Sequence, residues 1–176
     1  MVTILFFTQN DAAALARSLA PLVHDAIEGH LAEVLIADDG SADSTADIAD
    51  ASGCNLEQLA DRPLNEILAG ARADWFVVLQ PGARLRDGWH GAVMDHLMHP
   101  DAAAARFKPY RNGNWFSRLF RPSGVRRGPL ARGLVISKRQ ALANLPASAR
   151  SGEDMIRGLA LRTLDAEIEM APASVK

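Results

Sequence analysis

The chain has 176 residues, 48% of them hydrophobic, enough for one buried core and too few for two ordinary domains. With 23% charged residues, a formal net charge of -2 and a single cysteine, it is neither a disordered polyelectrolyte nor a disulfide-framed secreted module, and a reducing, cytoplasmic setting is expected. No apolar run approaches the roughly 20 residues that cross a bilayer, and Met1-Val2-Thr3-Ile4-Leu5-Phe6-Phe7 lacks the basic lead and cleavage site of a signal peptide, so it is predicted as a first strand.

Charge is laid out unevenly. Sixteen acidic and five basic residues lie up to Asp101, whereas Ala102 to Gly152 holds eleven basic residues and no carboxylate. A solvated basic face and a surface that attracts an anionic ligand both fit such a segment.

In chain order, three short runs rich in β-branched or aromatic residues, Val2 to Phe7, Val34 to Ala37 and Trp75 to Leu79, are predicted as buried strands. Between the first two, Asn10 to Ile27 carries Leu15, Leu19, Leu22 and Val23 at helical spacing, with Asn10 and Asp11 as candidate N-caps. Helices are expected after Ser41-Ala42-Asp43-Ser44 as far as Ala51, and from Pro63 to Arg72. Further on, Trp89 to Met98 and Asp154 to Leu164 are predicted as helices, Ala102 to Lys108 and Gly133 to Ser137 as strands. Tyr110 to Arg132 is rich in Gly, Pro and Arg. Strand-helix alternation implies one α/β domain over residues 1–176, with a mostly parallel sheet covered on both faces. Ligands of such sheets bind beyond the carboxyl ends of the strands, here Thr8-Gln9-Asn10, Asp38-Asp39-Gly40-Ser41 and Gln80-Pro81-Gly82.

A carboxylate in the Asp38-Asp39-Gly40-Ser41 turn can accept hydrogen bonds from a base or ribose, and Gly40 permits the tight turn. Ser41, Asp43 and Ser44 equally suit a helix cap, and on these residues alone the two readings stand level. His96 and His99, three apart beside Asp95, with His90 on the same predicted helix, lack the cysteine or second carboxylate of a zinc site and are expected at the surface. Cys54 is expected to be a small buried residue. Trp115, Phe116, Leu119 and Phe120 form a stripe flanked by Arg118 and Arg121, which suits a core-facing helix or a peripheral contact with an anionic membrane surface. No nucleic-acid-binding module is recognisable.

Taken together, Val2 to Asn10, then Val34-Leu35-Ile36-Ala37-Asp38-Asp39-Gly40-Ser41 to Thr45, then Arg62-Pro63-Leu64-Asn65, Asp74 to Leu79 and Gly152-Glu153-Asp154-Met155 resemble, in order and spacing, the family-2 glycosyltransferases. The resemblance runs from residue 2 to about 165 and is weak in the middle third. It implies a three-layer α/β/α, Rossmann-like GT-A fold and transfer of a sugar from a nucleotide-diphosphate donor to a hydroxyl acceptor, a glycan or lipid-linked group. It places Thr8, Gln9, Asn10, Asp39, Gly40, Ser41, Arg62, Asn65, Gln80 and Gly82 around the nucleotide, with Asp39 on the base. Asp154, with Glu153 beside it, becomes the general base for the acceptor hydroxyl, a role that needs an ionised carboxylate within hydrogen-bond reach.

The sequence departs from the family after Leu79, where Gln80-Pro81-Gly82 replaces the Asp-X-Asp that holds a divalent cation on the donor. Hard cations select anionic oxygens, so no cofactor is expected, and no metal in the usual position. Arg118, Arg121, Arg126, Arg127 and Arg132 are then the candidates to balance the diphosphate, since guanidinium forks bind phosphate bidentately. Two functions follow from this departure: a metal-independent transferase, or an inactive GT-A domain that binds a nucleotide, an anionic glycan or a protein partner. A homodimer contact that completes the acceptor side, and a location at the inner face of the membrane, are the remaining expectations.

Overall fold

Strand β1 (Val2–Thr8) owes its central place to a run of apolar side chains with no polar face. Val2, Ile4 and Phe6 enter one apolar cluster and Leu5 the other, so both faces of the strand are covered. The computed structural model describes residues 1–99, 101–110, 128–146 and 148–172. Strands β2 (Leu31–Asp38), β3 (Asn55–Gln58) and β4 (Trp75–Leu79) run parallel to β1, and β5 (Arg84–Leu85), β6 (Ala105–Pro109), β7 (Leu134–Ser137) and β8 (Arg162–Glu169) complete the sheet. The strand order is β3-β2-β1-β4-β7-β6-β8-β5.

Helices α1 (Ala12–Ile27), α2 (Thr45–Ala51) and α4 (Trp89–Leu97) bury Leu15, Leu19, Leu22, Ala49 and Val93 on the first face. Helices α3 (Leu64–Gly70), α5 (Lys138–Asn144) and α6 (Gly152–Ile156) bury Leu64, Ile67, Leu68, Ala141 and Met155 on the second. Phe6, Phe76 and Phe107 are fully buried, each contributing roughly 2–3 kcal/mol of transfer free energy.

The sheet is mixed: β1 pairs parallel with β2 and β4, β2 with β3, and β6 with β8, while β7 enters antiparallel between β4 and β6 and β5 closes antiparallel on β8. Two predicted features need correction. The helix expected over Asp154 to Leu164 stops at Ile156; Gly158 turns with φ 76, and Arg162 to Glu169 forms β8, with exposed and buried residues alternating along most of its length. Asp11 makes no side-chain cap on α1; the Ala12 N–H donates instead to Asp43 Oδ2 at 3.0 Å.

Register places the carboxyl ends of the first strands together. Thr8 lies opposite Asp38, Asp38 opposite Gln58, and Phe6 opposite Leu79. Because β7 is antiparallel, its amino end arrives at the same edge, Leu134 opposite Val78, led in by a 3-10 turn at Pro129–Arg132. Among the described residues no helix is long and apolar enough to cross a membrane.

Candidate active site

The two carboxylates of the β2 tip have different surroundings. Asp38 is buried and accepts from the Thr8 hydroxyl (2.8 Å), the Ser41 N–H (2.9 Å) and Gln58 Nε2 (3.0 Å), as well as from the Ser41 hydroxyl. Burial alone would raise its pKa, but these hydrogen bonds outweigh it and hold the carboxyl below the ordinary range. Asp38 is thus a brace inside the turn. Asp39 is half-buried, its side chain facing outward toward Arg150 Nη1 at 3.4 Å.

The β1 and β2 loops are stitched together. The Asn10 N–H donates to Ser41 Oγ (2.8 Å), the Ala42 N–H to Asn10 Oδ1 (2.8 Å), Gln9 Nε2 to the Asp39 carbonyl (3.0 Å), and the Asp39 N–H to the Thr8 carbonyl (2.9 Å). Asn10 adopts φ 55 to do so, a conformation asparagine tolerates better than most residues. Thr8-Gln9-Asn10 and Asp38 to Ser41 are therefore brought together.

Arg62 is held by Glu57 at 2.6 Å, while Asn65 is exposed on α3. A cavity of about 390 Å³ opens between Leu59, Pro63 and Leu64 on one side and Ser148, Ala149 and Arg150 on the other. A larger one, about 740 Å³, is lined by Asp74, Trp75, His99, Ser137 and Lys138, at the opposite end of the strands. The smaller cavity is the candidate site, because Arg150 ties its wall to Asp39 and it lies where parallel sheets bind ligands.

After β4 the chain is hung from α1. The Ser18 hydroxyl, buried, accepts from the Gly82 N–H (2.8 Å) and donates to the Ala83 carbonyl (2.7 Å), and Arg17 Nε donates to the Gly82 carbonyl (3.2 Å). Gly82 has φ 95, and a Cβ there would lie 3.2 Å from Pro172, so it packs against the chain's own β8 side. Gln80 Oε1 is buried without a hydrogen-bond partner among the described residues. Gln80 Nε2 and Glu153 Oε1 both lie against Gly128, 3.8 Å and 2.5 Å from where a Cβ would stand.

Close approach of α6 puts Glu153 there. A Cβ on Gly152 would lie 2.7 Å from Leu130 Cδ2 and 2.9 Å from Phe7 Cδ2, so only glycine lets the helix start this near the β1 tip. Asp154 completes a capping box with Ser151: its Oδ2 accepts from the Ser151 hydroxyl (2.9 Å) and from the Arg150 and Ser151 N–H groups (3.2 Å each). Burial would raise its pKa, but these bonds and nearby Arg157 hold it below the ordinary range. Glu153 is exposed and carries no hydrogen bond or ion pair within the described residues.

Arg132 lies on the 3-10 turn, its Nε donating to the Phe107 carbonyl at 2.9 Å. Arg118, Arg121, Arg126, Arg127 and the stripe of Trp115, Phe116, Leu119 and Phe120 lie outside the described residues. His96 is not at the surface: it is 8% exposed and hydrogen-bonds the Ala103 carbonyl at 2.8 Å. His90 stacks on His30 with ring centroids 3.7 Å apart. Cys54 is half-buried, and burial pushes its thiol up to about 11. Sequence reasoning missed Gln58, Ser18 and Arg150.

No protein-family model matches the chain, and no curated protein does. Solved structures do. Glucosyl-3-phosphoglycerate synthase from Mycobacterium tuberculosis, in complex with Mn2+, UDP and glucosyl-3-phosphoglycerate, superposes with a TM-score of 0.61 at 18% identity, over 100% of this chain and 73% of that one. TarS from S. aureus gives 0.62 at 14% identity, over 97% of this chain and 58% of its own. The fold is theirs. At this identity the likeness speaks for the fold, a mixed α/β GT-A-like architecture.

The same structures overturn one expectation. Those of the synthase that hold UDP or UDP-glucose hold Mn2+ or Mg2+ with it, so the absence of a divalent cofactor does not follow from the changed motif. Within this chain, the described residues include no group of three or more His, Cys, Asp or Glu placed for a metal, and the β4 tip offers the neutral Gln80 Oε1. That donor set does not match a hard cation's preference for anionic oxygens.

Proposed function

We propose that the protein is a glycosyltransferase that moves a sugar from a nucleotide-diphosphate donor to a hydroxyl acceptor. One observation carries the reading. In a fold shared with a glucosyl-3-phosphoglycerate synthase, an outward carboxylate (Asp39), a cavity and an uncommitted carboxylate (Glu153) converge on the edge where the strand ends meet. The core on both faces of the sheet supports the three-layer GT-A arrangement, and the continuous sheet supports one domain across the chain.

In this reading the nucleoside occupies the cavity beside Arg150, with Asp39 accepting from the base or ribose and the Thr8-Gln9-Asn10 loop walling the pocket. Glu153 accepts the proton of the acceptor hydroxyl while its oxygen attacks the anomeric carbon. The bond from that carbon to the diphosphate oxygen breaks on the opposite face. Configuration inverts, and the nucleoside diphosphate leaves with the bonding electrons. We assign proton transfer to Glu153 and its placement to Asp154, whose Oδ2 takes all three cap hydrogen bonds and whose Oδ1 faces Arg157 at 3.6 Å.

Thermal melts of the full chain with a panel of nucleoside diphosphates and their sugar conjugates, each with and without Mn2+, test the reading. Stabilisation by one nucleotide, reduced in Asp39→Ala, supports it. A panel in which no nucleotide shifts the melt removes it.

A further inference from the structure

The larger cavity, about 740 Å³, lies at the end of the strands away from the candidate site, and the proposed transfer makes no use of it. Trp75 opens β4 directly opposite Ser137, the last residue of β7, so the two strands stop here and the two faces of the sheet meet at one edge. The apolar clusters of both faces reach the surface at that edge. Trp75 and Leu97 belong to the margin of the first and Leu142 to the margin of the second, and all three line the cavity. Met98 stands beside them at 84% exposure, more than Met1, Val23 or Ile27. A lone exposed methionine is ordinary; apolar side chains from two clusters meeting in one recess mark an interaction site. The wall is also fixed in advance. The Trp75 indole stands edge-on to the buried His96 imidazole, centroids 6.4 Å apart, and His96 is hydrogen-bonded to the Ala103 carbonyl.

The rest of the rim is cationic. Lys138 and Arg139 line it from α5. The Lys138 ammonium donates to the Ala71 carbonyl at 2.6 Å and its backbone N–H to the Asp74 carbonyl at 2.7 Å, which hold the residue in place without cancelling its charge. Arg139 is exposed. Among the described residues neither cation has a carboxylate within ion-pair distance, although Asp74 lines the same cavity. Two fixed positive charges thus face one negative charge across a volume in the range of small-molecule sites. A neutral apolar ligand would leave the cations unused, and an inorganic anion would leave the Trp75, Met98 and Leu142 surface wet.

We propose that this cavity is a second binding site, for a small free amphiphile with an apolar body and one anionic head group. The body lies against Trp75, Leu97, Met98 and Leu142, and the head group meets Arg139 and Lys138. The site is independent of the transferase reading.

Titration calorimetry on the full chain with monomeric octyl phosphate tests it, against inorganic phosphate, which lacks the body, and octanol, which lacks the charge. Octyl phosphate should bind about tenfold tighter than either, or more. Arg139→Gln should weaken octyl phosphate about tenfold, and Met98→Ser about threefold. Both positions are exposed, so neither variant should disturb the fold. Asp74→Asn should tighten binding by removing the one opposing charge. Saturating UDP and Mn2+ should leave these affinities unchanged. No binding of octyl phosphate, or equal affinity in the parent, Arg139→Gln and Met98→Ser, overturns the site. Octanol binding as tightly as octyl phosphate overturns the anionic head group. Competition by UDP gives the amphiphile to the candidate site and overturns this one. Sedimentation with phosphatidylcholine vesicles containing phosphatidic acid, without binding of monomeric octyl phosphate, makes the recess a membrane contact and overturns the free ligand.

Discussion

Arg150 Nη1 approaches Asp39 Oδ1 to 3.4 Å, joining two loops that lie 111 residues apart in sequence. The backbone N–H of the same arginine donates to Asp154 Oδ2, so one residue spans the β2 tip and the start of α6. The side chains are 65% and 43% exposed, which limits the pair's worth to stability.

Asp39→Ala and Arg150→Ala should therefore melt within about 1 kcal/mol of the parent, while Asp39→Ala loses nucleotide binding about tenfold. Chemical denaturation and calorimetry check the two halves. A large stability loss with binding intact would make Asp39 a structural residue and move the nucleotide elsewhere.

Glu153→Gln and Asp154→Ala should behave differently. Glu153→Gln is expected to abolish transfer and leave the melt unmoved, because that side chain supports nothing else among the described residues. Asp154→Ala should cost about 1 kcal/mol through the lost capping box, and lower turnover less. Turnover surviving in Glu153→Gln but not in Asp154→Ala would transfer the base role to Asp154.

Asp38→Asn should be the most damaging of the carboxylate changes, by about 1–3 kcal/mol. An amide NH2 in place of Oδ2 would confront the Ser41 N–H and Gln58 Nε2, donors with no acceptor left. The folded pKa of Asp38 is depressed, so its contribution is present above the unfolded value near 3.9 and is lost as pH falls through the folded one. Urea midpoints between pH 5 and pH 3 should drop more steeply in the parent than in Asp38→Asn; parallel curves would refute the brace.

A separate acid response is expected near neutrality. His90 faces His30 at 3.7 Å and lies within reach of the Met1 amino group, with Asp25 the opposing charge. Burial first, then those two positive groups, push its pKa below the ordinary histidine value, and Asp25 offsets only part. The unfolded chain thus takes up this proton at higher pH, near 6.5, than the folded one does. Stability is complete above that value and declines below it. His90→Gln should flatten the urea midpoint between pH 7.5 and 5.5; an unaltered slope would assign the response to another group.

Gly152→Ala should cost about 1–3 kcal/mol, since the added methyl meets Leu130 and Phe7 inside 3.0 Å. Turnover per folded molecule should fall as well, because the contact that must open is the one that places Glu153. Normal activity with normal stability would show that α6 can shift without consequence.

The strands of the parallel half were legible because each is buried on both faces and reads as an unbroken apolar run. Strand β8 was hidden by its neighbour: Glu153-Asp154 announces a helix, and nothing before Gly158 says how short it is. Its alternation, with Leu164, Ala166 and Ile168 buried, was there to be found. At the site, Asp39 and the Glu153-Asp154 pair could be located because they sit in local patterns. Arg150, Gln58 and Ser18 could not, since their partners are 111, 20 and 64 positions away and no spacing rule connects them. Asp38 and Asp39 are equivalent as letters; only the packing of Thr8 and Gln58 makes one a brace and the other a contact.

The two bonds by which the Asn10 and Ser41 side chains accept from backbone N–H groups of each other's loops, Ala42 and Asn10, bear on how the protein can change over time. Each residue supplies the partner that the other's loop requires, so neither is free to drift alone. Random variation in this chain should recover changes at these two positions as coupled pairs, and a lone replacement should loosen two loops at once.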